Sequence, residues 1–327
     1  MQRGGALRVV AVLVAGWPAA LLADSLSIKV ENDLFAYEND DGHYSGGLEL
    51  FWSFEPDNGH WARGLADALP GWSGDEVKTL AYRFGMQAYT PEDLHRRALV
   101  EDDRPYAGLL FLGVSLYADR NGGPWRVNRQ LHLDAGLVGP GTGVGKVQHW
   151  IHKHLDDTEP RGWSHQLRNE PFLNLAYGQN WWHGGRLLGL ELEYGPSAGL
   201  ALGNLYTYGS AGLLVRFGRH LDRSLGIPSV TPGQSGSQYF TPRGRFAWYG
   251  FLGVEGRYMA YNMLLDGNTF KSSHSVDRKE WVGDAKAGLA LTWSTWQLTF
   301  ASVWRTHEFE GQQGHDQFGS VTLSYGF

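Results

Sequence analysis

The sequence contains no cysteine, and no apolar run beyond residue 23 approaches the length of a membrane-spanning helix. The lack of cysteine excludes a disulfide-stapled scaffold, so packing or a membrane must stabilise the fold. A spanning helix needs about 20 mostly apolar residues, which excludes a helical membrane protein. Basic residues are scattered and the net charge is −6, so nothing indicates a nucleic-acid partner.

Residues 1–23 have the pattern of a secretory signal peptide. Two arginines precede an apolar run over residues 9–22, and Ala23 offers a small residue for cleavage before Asp24. We therefore expect an exported chain whose fold begins near Asp24.

Glycine and aromatic residues are abundant, with 45 Gly, 14 Trp and 13% aromatics overall. This abundance without a long apolar run is typical of a transmembrane β-barrel, in which only every second residue faces lipid. A soluble β-sandwich is the alternative. Within residues 188–194, leucines and a tyrosine alternate with Glu191 and Glu193. Charges on the inner face favour a water-filled lumen over a dry sandwich core, because burying unpaired carboxylates is costly.

The same reasoning along the chain predicts roughly twelve strands, an even number as bacterial barrels require. Their predicted ranges are 25–32, 45–54, 78–88, 106–118, 128–138, 172–182, 187–199, 206–218, 244–262, 282–293, 296–306 and 317–327. The fold class is thus all-β, an antiparallel transmembrane barrel over residues 24–327. Its C-terminal Phe327 resembles the ending that the barrel assembly machinery reads during insertion into the outer membrane.

Two long polar connections interrupt the strands, at residues 139–171 and 219–243. Connections of this length are usually functional or disordered. The first contains a predicted short helix over 146–155, which follows three glycines and ends before Pro160. The second is rich in Ser, Gly and Pro and is predicted to be an extracellular loop.

Three histidines lie on the predicted helix, at positions 149, 152 and 154. His149 and His152 are three residues apart and share a face, whereas His154 points elsewhere. A zinc site is conceivable, but the HExxH spacing is missing; a polar surface helix explains the cluster equally well.

The first predicted strand ends in Asn32-Asp33, before an acidic loop. Such residues commonly cap a strand end through Asx turns. Alternatively, Asp33 supplies a hard oxygen ligand for calcium, with Asn32 orienting a neighbouring group.

Four motifs together resemble the outer-membrane lipid A 3-O-deacylases, and the resemblance extends over most of the mature chain. The motifs are "SLSIKVEND" (25–33), "YSGGL" (44–48), "DRPYAG" (103–108) and "GLVGPGTGVGKVQHWIH" (136–152), the last continuing to "GW" and "QL" within 162–167. The resemblance implies a barrel of the Gram-negative outer membrane, with lipid A or lipopolysaccharide as substrate and an active site on the extracellular side.

The resemblance also assigns residues. The family's essential Asn and Asp correspond to Asn32 and Asp33, its Thr or Ser to Ser45, and its catalytic histidine to His152. It implies a calcium ion held by Asp33 and a water molecule activated by His152 as base, so no serine nucleophile is required.

The resemblance also implies substrate-binding residues, with a less direct correspondence of positions. A basic residue used near lipid A falls on Arg96 or Arg97, and the family's essential Glu falls on Thr158, with Glu159 one position away. Two other functions remain open: a passive outer-membrane channel or structural barrel, and a calcium-dependent outer-membrane phospholipase.

Overall fold

The computed structural model describes residues 24–33, 43–155, 159–228, 240, 242 and 244–327. The predicted signal peptide and Thr158 lie outside these ranges. The strands are β1 Ser25–Asn32, β2 Tyr44–Phe54, β3 Val77–Tyr89, β4 Ala107–Gly122, β5 Trp125–Val138, β6 Glu170–Leu187, β7 Leu190–Gly203, β8 Tyr206–Arg219, β9 Ala247–Asn262, β10 Trp281–Trp293, β11 Trp296–Arg305 and β12 Asp316–Gly326. The helices are α1 Trp61–Ala68, α2 Val144–Leu155 and α3 Met263–Asp266.

The twelve strands form one closed antiparallel barrel. Each strand pairs with its neighbours in sequence, and β1 closes the ring on β12, with Ser25 opposite Gly326 and Asn32 opposite Gly319. Closure leaves no free strand edge. The predicted fold class and strand number are therefore confirmed.

The outer wall is apolar, as the alternation predicted. Leu112, Leu213 and Leu252 are each more than half exposed on it. Aromatic pairs lie near both ends of the strands, such as Trp296 with Tyr325 at one end and Tyr258 with Trp281 at the other. An apolar band between aromatic girdles is typical of barrels that span a membrane. None of the helices in the described ranges is long and apolar enough to cross one.

The inner face carries buried ion pairs. Lys29 Nζ lies 3.0 Å from Glu31 and 2.9 Å from Glu49, and Arg83 contacts Glu49 at 3.0 Å. A second group joins Arg257 and Arg305 to Asp284, at 2.9 and 2.8 Å, and Arg305 to Glu308 at 3.3 Å. Because each of these charges has an opposite partner, the lumen tolerates them despite their burial.

The two ends of the barrel differ. Strand β1 ends at one end of the barrel, which we call the "loop end". This end carries the connections 33–43, 90–106, 139–169, 263–280 and 306–315. The opposite end, the terminal end, carries residues 24 and 327 and the connections 55–76 and 220–246. Since 139–169 and 220–246 leave opposite ends, the prediction that 219–243 is extracellular is incompatible with an extracellular 139–171.

Candidate active site

The start of β2 contains a β-bulge. Tyr44 pairs with Tyr89 and Gly46 pairs with Ala88, so Ser45 is the extra residue between them. Gly46 has φ 150°, a value that L side chains rarely adopt. The bulge presents the Ser45 carbonyl to β1, where Asn32 Nδ2 donates a hydrogen bond to it at 2.7 Å.

The second glycine of the motif makes room for a buried side-chain contact. Tyr44 Oη donates to Glu31 Oε2 at 2.5 Å, and a Cβ at Gly47 would lie 2.5 Å from the same hydroxyl. The two glycines of "SGG" thus have separate structural roles. Gly46 adopts the backbone conformation of the bulge, and Gly47 leaves room for the Tyr44 hydroxyl.

Asn32 and Ser45 belong to the outer wall of the barrel. Along β1, buried Lys29 and Glu31 face the lumen, while exposed Val30 and partly exposed Asn32 occupy the opposite, outward positions. Ser45 Oγ forms a hydrogen bond of 2.6 Å with Thr90 Oγ1, just beyond β3. Asp33, directly after β1, is buried. A polar cluster therefore lies at the loop end, partly outside the lumen.

Helix α2 lies against this part of the wall, beside β3 and β4. Three small residues pair across neighbouring strands here: Gly46 with Ala88, and Ala88 with Gly108. A Cβ at Gly108 would lie 2.7 Å from Thr142 Oγ1 and 2.8 Å from Val144 Cβ. Only glycine at this position allows the beginning of α2 to approach so closely.

The underside of α2 is held by the connections before β4 and after β5. Trp163 Nε1 donates to Gln148 Oε1 at 2.8 Å, and the Trp163 ring lies 5.1 Å from the Tyr106 ring. Burial raises the pKa of Tyr106 to about 12, so its hydroxyl stays neutral. Leu167 N donates to the Tyr106 carbonyl at 2.9 Å. The motifs around residues 106, 148 and 163–167 are therefore parts of one contact network.

The three histidines of α2 have different environments. His149 Nδ1 lies 3.0 Å from Glu159 Oε1, and both side chains are about half exposed. His154 Nδ1 bonds the Trp150 carbonyl at 2.7 Å, and its ring packs 4.4 Å from the Trp150 ring. His152 is only partly exposed.

His152 lies on the face of α2 that packs against the barrel. Val144, Gln148 and His152 are spaced four residues apart, and the first two are buried against the wall and its connections. Helix α2 lies beside β3 and β4, the strands that follow β2 in the ring.

Arg96 and Arg97 lie in the connection 90–106, with exposed side chains. The Arg96 carbonyl lies 3.2 Å from the position that a Cβ of Gly162 would occupy. The backbone around Arg96 therefore packs against the connection 139–169, which contains α2. Among the described residues, neither guanidinium has a side-chain hydrogen bond or ion pair. Both are available to an anionic ligand.

For a metal ion, the described ranges contain no group of three or more His, Asp or Glu side chains that could hold one. Asp33 does offer a buried carboxylate, and the preceding residue, Asn32, is hydrogen-bonded to Ser45. Carboxylate, amide and hydroxyl oxygens are hard donors of the kind that calcium prefers, and calcium takes six to eight of them. The acidic loop that follows, residues 34–42, lies outside the described residues.

Sequence reasoning missed two contributors to this region, Thr90 and His43. Thr90 bonds Ser45, and His43 lies between Asp103 and Asp316. Both depend on contacts between connections that are far apart in the chain, and no spacing in the sequence marks them. The buried Gln148 stands within a recognised motif but was not assigned to the site.

A family described as outer membrane protein LpxR matches residues 7–327. Among solved structures, LpxR from Salmonella typhimurium matches with a TM-score of 0.78 and 21% identity, over 93% of this chain and 100% of that one. The β domain of the Bordetella autotransporter BrkA matches with a TM-score of 0.45 and 12% identity, over 93% and 99% of the two chains. No curated protein sequence matches significantly.

Proposed function

Because the chain belongs to the LpxR family of outer membrane proteins, we propose that it is a lipid A 3-O-deacylase, which hydrolyses an ester-linked acyl chain of lipid A within the membrane. The observation that supports this most is the position of the polar cluster. Asn32 and Ser45 lie on the outer wall, next to a helix docked on the same wall. A lipid ester could reach such a site from the membrane without entering the barrel.

His152 is the proposed general base. It removes a proton from the water molecule that attacks the ester carbonyl, and such catalysis typically contributes about 10²–10⁴-fold. The motif "GLVGPGTGVGKVQHWIH" (136–152) selects His152 among the three histidines of α2, through the resemblance to the deacylase family. No serine nucleophile is needed, so Ser45 is assigned to orienting the site through its bonds to Thr90 and Asn32.

Asp33 is the proposed calcium ligand, with Asn32 positioning the end of β1 beside it. When bound, the ion supplies charge stabilisation for the tetrahedral oxyanion and polarises the ester carbonyl. Oxygen and amide groups favour calcium over zinc, because zinc is usually held by His and Cys side chains. The contribution of this chain is the buried carboxylate of Asp33 at the loop end.

Arg96 and Arg97 are proposed to bind the anionic groups of lipid A. Their guanidinium groups are exposed and have no side-chain partner among the described residues, which leaves them free to contact phosphate. Glu159 is proposed to contribute to substrate binding together with His149, whose Nδ1 lies 3.0 Å from Glu159 Oε1. We infer an extracellular position for the loop end, since bacterial barrels combine short periplasmic turns with longer outer loops.

A passive channel is the weaker alternative, since the ion pairs of Lys29, Arg83 and Arg305 occupy the lumen. A calcium-dependent phospholipase would share the metal but cleave glycerophospholipid esters. A serine-directed phosphonate inhibitor distinguishes the deacylase from the phospholipase. It inactivates an enzyme with a serine nucleophile and leaves a histidine-metal site unaffected.

The direct biochemical test uses the purified barrel in vesicles that contain both lipid A and phospholipid. We expect acyl release from lipid A with added calcium, loss of release in excess chelator, and no sensitivity to a serine-directed phosphonate. Full activity in chelator, or rescue by zinc alone, would contradict the calcium assignment. Release from phospholipid alone would contradict the deacylase assignment.

A further inference from the structure

We propose that His43 is a positioning residue for the deacylation site, holding the start of β2, and with it Ser45, in place through a clasp between two connections of the loop end and the first residue of β12. This inference rests on the proposed function. His43 makes none of the assigned contacts with substrate, water or metal, and acts through the backbone that carries Ser45.

The clasp is defined by His43, Asp103 and Asp316. His43 Nδ1 lies 2.6 Å from Asp316 Oδ1, and Nε2 lies 3.3 Å from Asp103 Oδ1. The imidazole is 2% exposed and packs edge-on against the Phe309 ring at 5.1 Å. Residues from the connections 33–43, 90–106 and 306–315 and from the first position of β12 therefore meet at one ring.

The geometry requires a charged ring. A neutral imidazole donates from only one nitrogen, whereas both nitrogens of His43 face a carboxylate oxygen. Burial and the nearby Arg104 lower the pKa of His43, but the hydrogen bonds to Asp103 and Asp316 outweigh them and raise it from 6.5 to about 9. The remaining neighbour is Gln312, whose Nε2 lies 3.4 Å from His43 Nδ1. In neutral solution the ring is thus held as an imidazolium.

Asp103 is itself fixed in several ways. Its Oδ2 accepts from Glu92 N at 2.8 Å, and its Oδ1 accepts from Arg104 N at 2.6 Å. Its carbonyl bonds His274 Nε2 at 2.9 Å, which adds the connection 263–280 to the network. His43 is therefore tied to an anchored carboxylate rather than to a mobile one.

The clasp reaches Ser45 by two short routes. Thr90 N donates to the His43 carbonyl at 3.3 Å, and Thr90 Oγ1 bonds Ser45 Oγ at 2.6 Å. Along the chain, only Tyr44 separates His43 from Ser45. Loss of the clasp should therefore loosen both sides of the bulge, including the Ser45 carbonyl that Asn32 binds.

The test uses the full barrel with His43→Gln, and with His315→Gln as a control histidine at the same end of the barrel, whose side chain is exposed. Gln is neutral and cannot satisfy both carboxylates as an imidazolium does. We expect kcat on lipid A to fall about tenfold with KM changed by less than about twofold, since misplaced catalytic geometry lowers turnover. His43→Lys should restore part of the loss, because it returns the positive charge.

A second readout does not depend on activity. Hydrogen–deuterium exchange should become faster in the peptide that contains residues 43–48 of His43→Gln, while exchange in the central strands stays as in the parent protein. If the parent protein were inactive on lipid A and His43→Gln still showed faster exchange, the proposed function would be contradicted but the clasp would be supported. Parent-like exchange and kcat in His43→Gln would overturn the clasp, as would an equal effect of His315→Gln.

Discussion

At the scale of single residues, the environment of each histidine decides what it can do. A general base must lie within about 3 Å of the water it deprotonates, so neighbouring histidines are not interchangeable. His154 is engaged by the Trp150 carbonyl and ring, and His149 by Glu159. His152 follows Val144 and Gln148 on the face of α2 that packs against the wall.

We therefore expect His152→Ala and Asp33→Ala each to lower deacylation by at least about 10²-fold, the usual contribution of a general base or metal site. His154→Ala should retain most activity, and His149→Ala should fall between. Initial rates on lipid A, with heat-modifiability as the folding control, measure this series. A folded His152→Asn barrel with nearly parental rate would exclude His152 as the base.

His43 gives a pH dependence of stability. Its pKa in the folded protein, about 9, lies above the ordinary 6.5, so its contribution to the free energy of unfolding is fully present below pH 6.5 and is lost as the pH rises through 9. Thermal unfolding midpoints of the parent should fall between pH 7 and 10 more steeply than those of His43→Gln. Parallel profiles for the two proteins would count against a charged, clasped imidazole.

At the scale of elements, alternation and turn residues were sufficient to predict the strands. All twelve were predicted within a few residues of their observed ends, and the helix over 146–155 was found as Val144–Leu155. The period of two is a local property, because each strand must show one face to lipid and one to the lumen. The side of the membrane to which a connection belongs is not local, and this is why 139–171 and 219–243 were both predicted to be extracellular although they leave opposite ends of the barrel.

The docking of α2 also could not be predicted from the sequence alone. It depends on Gly46, Ala88 and Gly108 becoming neighbours across three strands, which requires the register of the sheet. The polar cluster of Asn32 and Ser45 could be proposed only through the family resemblance, since an Asn-Asp pair has a simple capping role by itself. The roles of the individual site residues stay predictions.

Substitution of Gly108 should separate the helix from the barrel. A Cβ there would overlap Thr142 and Val144, and overpacking of this kind costs about 1–3 kcal/mol. We expect Gly108→Ala to lower deacylation, and Gly108→Val to lower it further, while the barrel still folds. Gly256→Ala is the control, because an added Cβ at this β9 position would meet nothing within 4 Å. Equal activity of all three variants would show that α2 need not pack against β4.

At the scale of the whole molecule, the chain is a twelve-stranded barrel of the outer membrane, and the family expected from four motifs is confirmed by a match over residues 7–327. The signal peptide and the role of the assembly machinery stay predictions. The apolar wall and the charged interior give the barrel two different surfaces, and the proposed chemistry uses the outer one.

The charged interior predicts that the barrel does not conduct. Buried ion pairs around Lys29, Arg83, Arg257 and Arg305 line the lumen and link neighbouring strands. Planar bilayer recordings should therefore show no steady ion conductance at moderate voltage. Regular open-channel steps from the purified barrel would favour the passive-channel function instead.

The central claim is that this barrel removes an ester-linked acyl chain from lipid A and that His152 activates the water. Mass spectrometry of lipid A from Gram-negative cells expressing the parent chain or His152→Ala tests both parts together, with outer-membrane levels of the two proteins matched. The account predicts a lipid A species that has lost one acyl or acyloxyacyl group with the parent, and unmodified lipid A with the variant. Unmodified lipid A in both, or the same loss in both, would contradict it.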